Sequence, residues 1–235
     1  MLQKPLIILA GGFGTRLKSV LNGTPKPLAD INGVPFLFYL FENWEKQGFN
    51  HFILSLHYKS ESIMEYVESL KETILKNCKI QYIVEPVPLG TGGAISYLLD
   101  NIEINDYFFV VNADTWIEQG YPQLNKNVDN IIGVINVQDT SRYGKVNFNK
   151  DNLILQFDEK AESYLSGYIN AGIYKLSRSI FKNWDGKPYS LEKDLFPKLV
   201  TKQMLFCELL ETNFFDIGVP EDYQKFCNYI KNTNI

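Results

Sequence analysis

Three cysteines and two histidines among 235 residues leave little material for redox or soft-metal chemistry. Cys78, Cys207 and Cys227 are odd in number, far apart, and without the C-x-x-C spacing of a zinc or dithiol site. They read as three buried thiols in a reducing compartment. No apolar run approaches bilayer length, and the stretch Leu6 to Ala10 is shorter than a signal-peptide core and runs into two glycines. Positive charge is scarce as well: 23 Lys and Arg against 27 Asp and Glu give a formal net charge of −4, which argues against a general nucleic-acid surface. These absences predict a cytoplasmic protein with no membrane or nucleic-acid partner, in which the cations that matter are few and local.

What is present is an ordinary globular composition, 45% hydrophobic and 21% charged, enough for one sizeable core in a single domain. Pro5 to Ala10, Phe52 to Leu56, Ile80 to Val84 and Tyr107 to Val111 are short apolar runs of the kind that form buried parallel strands. Between them, one helical pattern starts at Pro35, puts Leu37, Leu40, Phe41 and Trp44 on one face and stops at Gly48. A second places Ile63, Val67 and Leu70 together. Alternation of this type predicts an α/β fold, Rossmann-like and doubly wound, with helices on both faces of a mixed, mainly parallel sheet. Ligands of such sheets lie beyond the carboxyl ends of the strands, so the loops after Ala10, Val84 and Val111 should converge. Later the pattern changes to strand-like runs with short polar links, at 131–137, 144–148, 153–157 and 168–176. A last helix begins at Pro220, with Tyr223, Phe226, Cys227 and Ile230 on one face.

Gly11-Gly12-Phe13-Gly14-Thr15-Arg16 follows the first strand, and three residues without side chains let backbone amides approach an anion closely. A plain strand-to-helix turn would look similar. Leu17 stands where a dinucleotide fingerprint needs its last glycine and where a P-loop needs the glycine before Lys18-Ser19, so the loop is of neither kind. Pro25-Lys26-Pro27 encloses a lysine between two residues of fixed φ, which limits where its ammonium can go. Glu85 to Ala94 is a second glycine-rich stretch opening a helix. Asp114, after Asn112-Ala113, ends an apolar strand, and Asp216 is a second acid in an apolar run. Burial of such acids is costly without a cation or donors, and a metal would explain both. Glu159-Lys160 and Asn170-Ala171-Gly172 add a cation and an amide suited to a phosphate and to sugar hydroxyls. His51 and His57 belong to none of these groups.

Taken together the motifs resemble those of the sugar nucleotidyltransferases (nucleoside-diphosphate-sugar pyrophosphorylases), whose G-G-x-G-T-R-L followed by P-K-P appears as Gly11 to Leu17 and Pro25 to Pro27. The likeness continues through Leu89-Gly90-Thr91-Gly92-Gly93, Asp114, Glu159-Lys160, Asn170-Ala171-Gly172 and Asp216-Ile217-Gly218, nearly the whole chain in the family's order. Arg16-Leu17-Lys18 and Pro35-Phe36-Leu37 look most like the D-glycero-D-manno-heptose 1-phosphate guanylyltransferases of bacterial surface-polysaccharide synthesis. Ala113 departs from the family's usual glycine, and its methyl group would narrow the sugar side of the site. No β-helix extension follows, which implies one activity.

The resemblance implies attack by the phosphate oxygen of a sugar 1-phosphate on the α-phosphorus of a nucleoside triphosphate, with release of pyrophosphate. It implies that Leu9, Gly11, Gly12, Gly14, Thr15, Arg16, Glu85, Gly90 and Thr91 bind the nucleotide, and that Arg16, Lys26 and Asp114 are catalytic. Asn112, Gly144, Glu159, Lys160, Asn170 and Gly172 would bind the sugar phosphate, and Asp114 and Asp216 would share Mg2+. Residues 1–118 then form a nucleotide-binding half and 119–235 a sugar-phosphate half. At the base-reading position Glu85 can accept two parallel hydrogen bonds, matching guanine and favouring GTP, although uridylyltransferases of the family can carry glutamate there too. The alternatives are a mannose-1-phosphate guanylyltransferase, a uridylyltransferase, or a nucleotide-binding regulatory relative without turnover. A glycosyltransferase does not account for the glycine loop with Arg16 and Lys26. Aromatics among the 16 Phe and 14 Tyr would suit a homodimer interface if exposed.

Overall fold

A computed structural model describes residues 5–14, 17, 21, 23–104, 106–126, 128–159 and 166–233. The chain begins with β1 (Leu6–Leu9), a 3-10 turn (Lys26–Leu28), β2 (Asp30–Ile31), β3 (Val34–Pro35), α1 (Phe36–Lys46), β4 (His51–Leu56), α2 (Ser60–Ser69) and β5 (Lys79–Val84). It continues with α3 (Gly90–Asn101), β6 (Tyr107–Asn112), β7 (Thr115–Ile117), α4 (Tyr121–Leu124), β8 (Ile131–Val137), β9 (Gly144–Phe148), β10 (Ile154–Glu159) and β11 (Gly167–Ser177). A π-helical turn (Leu191–Leu195) leads into α5 (Phe196–Thr201), β12 (Phe206–Leu209), β13 (Phe214–Asp216) and α6 (Pro220–Thr233). These elements form two compact units, Met1–Pro86 with Val111–Glu118 and Asn213–Ile235, and Val87–Val110 with Gln119–Thr212. No helix among the described residues is long and apolar enough to cross a membrane.

In the first unit β1, β4 and β5 lie parallel, Leu6 opposite Phe52 and His51 opposite Lys79. Leu6, Ile7, Ile8, Phe52, Ile53 and Leu54 are wholly buried, as continuous apolar runs in parallel strands require. Helix α1 buries the face expected of it, Leu37, Leu40, Phe41 and Trp44, and the chain leaves it through Gly48 at φ +98°. The last segment returns to this unit: β13 pairs antiparallel with β7, and Phe226 of α6 packs with Phe36, Trp116 and Phe215. That cluster fixes the register of β13, because a one-residue slip would turn Phe215 away from Trp116.

The second unit is mostly antiparallel. β11 pairs with β8 and β9, β9 pairs with β10, and β12 runs parallel to β8. Cys207 and Cys227 are buried as expected, and burial pushes the Cys207 thiol up to about 12. Cys78 corrects the expectation of three buried thiols: it is only partly covered.

Candidate functional site

Four of the glycine-rich loop's six residues, Gly11 to Gly14, can be followed. Gly14 has φ +64°, a conformation that excludes most side chains, and its carbonyl accepts from the Leu17 N–H at 3.2 Å. Gly12 faces open space. Gly11 lies so close to Glu85 that a Cβ there would stand 2.9 Å from Oε1. Thr15 and Arg16 lie outside the described residues.

Lys26 opens the 3-10 turn directly after Pro25, which sits at φ −65°. With its backbone so held, its side chain runs past Gly14, and it is only 9% exposed. Its ammonium forms an ion pair with Asp114. The other oxygen of Asp114 accepts from Thr115 Oγ1 at 3.3 Å. Leu9, Ala10, Gly12, Gly14, Lys26, Pro27, Ala113 and Asp114 line one cavity of about 210 Å3. Strand ends after β1 and β6 thus meet as the fold class requires, and the Ala113 N–H donates to the Leu9 carbonyl at 3.0 Å.

Asp216 reaches the neighbourhood of Asp114 through strand pairing. It stands opposite Thr115 in the β7–β13 register, and the Ile217 N–H donates to the Asp114 carbonyl at 2.9 Å. Its own Oδ1 accepts from the Gly218 N–H at 2.8 Å. Among the described residues no three His, Cys, Asp or Glu side chains gather as a metal cage. Asp114 lines the cavity and Asp216 ends the strand paired beside it; one or two carboxylates are the donor set magnesium uses when it keeps several waters. Asn112 is half-buried at the end of β6.

Glu85, 6% exposed, accepts from Ser55 Oγ at 3.2 Å. His57, set aside in the sequence, bonds the Glu85 carbonyl through Nδ1 at 3.0 Å and carries the ring against which Phe13 packs edge-on. Its only signal was its position just past β4.

In the second unit the glycines after Leu89 receive Tyr189. Gly92 and Gly93 donate to its carbonyl at 3.0 and 3.2 Å, and a Cβ at Gly92 would stand 2.2 Å from its ring. Gly90, at φ +73°, has that same carbonyl 2.6 Å from where a Cβ would be. Gly90→Ala combines a disfavoured φ with a backbone clash and is expected to lower stability by about 2–4 kcal/mol in urea unfolding; a loss under about 0.5 kcal/mol would contradict this packing.

Thr91 Oγ1 donates to Glu192 Oε2 at 2.8 Å and accepts from the Leu191 N–H at 2.8 Å. Asn170 donates to Tyr174 Oη at 3.0 Å and accepts from the Gly172 N–H at 3.0 Å. Gly144 stands opposite Glu159 in the β9–β10 pairing, and its neighbour Lys145 stands opposite Ile169, so these residues and Asn170 fall at one level on three adjacent strands. Lys160 lies outside the described residues. Glu192 was missed in the sequence because its motif is disguised. Ser190 caps the next helix through its side chain, and its own N–H donates to Asp194 Oδ2 at 2.7 Å, the π-turn having stretched the capping box by one residue.

The Nucleotidyl transferase family model matches residues 5–233. D-glycero-alpha-D-manno-heptose 1-phosphate guanylyltransferase of Campylobacter jejuni is 40% identical over 94% of this chain and 97% of its own length. Mannose-1-phosphate guanylyltransferase catalytic subunit beta of Dictyostelium discoideum is 32% identical over 92% of this chain, which spans 62% of that relative. The crystal structure of HddC from Yersinia pseudotuberculosis complexed with GMP-PN is 38% identical, with TM-score 0.83, over 97% of this chain and all of that one (100%). The fold is accordingly Rossmann-like, a mixed, mainly parallel sheet with helices.

Proposed function

The chain belongs to the nucleotidyl transferase family, and we propose that it transfers GMP from GTP to D-glycero-D-manno-heptose 1-phosphate in the cytoplasm, giving GDP-heptose and pyrophosphate for surface polysaccharide. The observation that carries this reading is the meeting of the glycine loop, Lys26 and Asp114 around one cavity. Likeness to the heptose 1-phosphate guanylyltransferase of Campylobacter jejuni supports the choice of base and sugar.

A phosphate monoester has its second pKa near 6, so the attacking sugar phosphate is already largely dianionic at neutral pH and needs no general base. What the reaction needs is positive charge between two anions. In this reading the amides of Gly11, Gly12, Gly14 and Thr15 and the guanidinium of Arg16 hold the triphosphate, and Lys26 faces the α-phosphate. Leu9, Gly90 and Thr91 complete the nucleotide side. Glu159, Lys160, Asn170, Gly172, Gly144 and Asn112 hold the sugar phosphate. Asp114 and Asp216 would hold Mg2+, whose charge offsets repulsion between the substrates. The nucleotide falls to residues within 1–118 and the sugar phosphate to residues within 119–235, apart from Asn112 and the metal-holding pair.

A matrix of GTP, UTP, CTP, ATP and dTTP against heptose, mannose and glucose 1-phosphates, read by pyrophosphate release, tests the assignment. GTP with the heptose should give the highest kcat/KM, and a better rate with UTP or mannose 1-phosphate would replace it. Glu85→Gln should weaken GTP use by about 1–3 kcal/mol, since one acceptor becomes a donor facing guanine's N1–H and amine. Unchanged GTP kinetics would remove Glu85 from base reading.

A further inference from the structure

Glu192 belongs to none of the motifs that suggested the function, yet its carboxylate gathers three hydroxyls. Oε1 accepts from Tyr174 Oη at 3.3 Å, and Oε2 accepts from Thr91 Oγ1 at 2.8 Å and Ser190 Oγ at 2.7 Å. It thereby joins the second glycine-rich motif, through Thr91, to the Asn170-Ala171-Gly172 motif, through Tyr174.

The direction of these bonds is forced. An ionised carboxylate only accepts, so Tyr174 must give it its single O–H proton. The Tyr174 oxygen is then left as an acceptor, and the group of Asn170 that can face it is the amide NH2, at 3.0 Å. Asn170 Oδ1 is thereby turned to the Gly172 N–H, at 3.0 Å, a contact that the opposite amide orientation would make donor against donor. Tyr174 is wholly buried and its ring packs against Phe196, so its hydroxyl has little freedom to seek another arrangement. Asn170 itself is half-buried, and these two bonds leave it one N–H and one oxygen lone pair of defined direction.

We propose that Glu192 is a positioning residue for the sugar: its charge, relayed through the Tyr174 hydroxyl, sets which way the Asn170 amide faces and so which hydroxyl pattern of the sugar 1-phosphate is accepted. The proposal rests on the assignment of Asn170 to the sugar made above. A carboxamide at 192 can offer its NH2 to Tyr174, reverse the tyrosine's proton and set the Asn170 amide against the Gly172 N–H. The buried network then has two competing arrangements where it had one.

The test is steady-state kinetics of the full chain with GTP and D-glycero-D-manno-heptose 1-phosphate, read by pyrophosphate release. Glu192→Gln should raise KM for the sugar phosphate about tenfold, the scale of one lost hydrogen bond, and leave kcat and KM for GTP within about twofold. Tyr174→Phe keeps the buried ring, removes the relay alone and should do the same, so the result does not depend on Glu192→Gln folding well. In an Asn170→Ala background neither substitution should add a further effect. Equal rises in both KM values, or a tenfold effect that persists without the Asn170 side chain, would reduce Glu192 to a structural tie and overturn the proposal. Asn170→Ala with an unchanged sugar KM would overturn the assignment of Asn170 itself. A raised sugar KM in Asn170→Ala with none in Glu192→Gln or Tyr174→Phe would sink the relay and leave that assignment standing.

Discussion

Lys26→Ala should reduce single-turnover pyrophosphate release about 10²–10³-fold while GTP still binds. The range is that expected when one preorganised donor is removed from a charge-developing transition state. Preorganisation is visible in this lysine's surroundings. It is almost buried, its backbone is clamped by Pro25 and Pro27, its stem passes Gly14, and its ammonium is held by Asp114 at the cavity wall. A cation held that way needs little reorganisation when negative charge moves onto the phosphoryl oxygens. Lys26→Arg should recover only part of the rate, because the wider guanidinium has to pass the same Gly14 backbone. Stopped-flow detection of pyrophosphate with calorimetric titration of GTP separates the two effects, and a loss smaller than tenfold would remove Lys26 from the reaction.

Asp114→Asn should be at least as severe, about 10³-fold in kcat, together with loss of Mn2+ binding followed by electron paramagnetic resonance. The substitution keeps the size of the side chain and a partner for Thr115, so little of the loss should come from misfolding. What disappears is a charge that serves two cations: the Lys26 ammonium with which it pairs, and the divalent ion that it would hold with Asp216. Several kcal/mol of charge stabilisation is the usual contribution of such an ion, which corresponds to roughly that factor. Mn2+ binding unchanged in Asp114→Asn would show that the metal lies elsewhere.

The halves of the site differ in how far they were legible. The loop at Gly11 to Gly14, the stiff Pro25-Lys26-Pro27 and the strand-ending Asp114 could be read because each depends on local rules: φ restrictions, backbone access and apolar runs closed by glycine. Glu85 could be found by its place after a strand, though not its closeness to Gly11. The stretch with Gly90, Gly92 and Gly93 could be read as glycine-rich and opening a helix, but the sequence offers no hint that Tyr189 packs against these glycines. Cys78 escaped the expected burial for a related reason, since coverage depends on what packs over a residue and not on its own polarity.

By itself, then, the sequence determined the glycine loop, the lysine between two prolines, the order of strands and helices and the family, all of which follow from short-range backbone constraints and hydrophobic periodicity. Tertiary structure alone decided which distant residues became partners. Asp216 stands beside Asp114 because an aromatic cluster sets the register of β13 on β7, and Glu192 meets Tyr174 and Thr91 because a π-turn carries it there. Such pairings are settled by the burial of whole surfaces, to which no short stretch of chain has access.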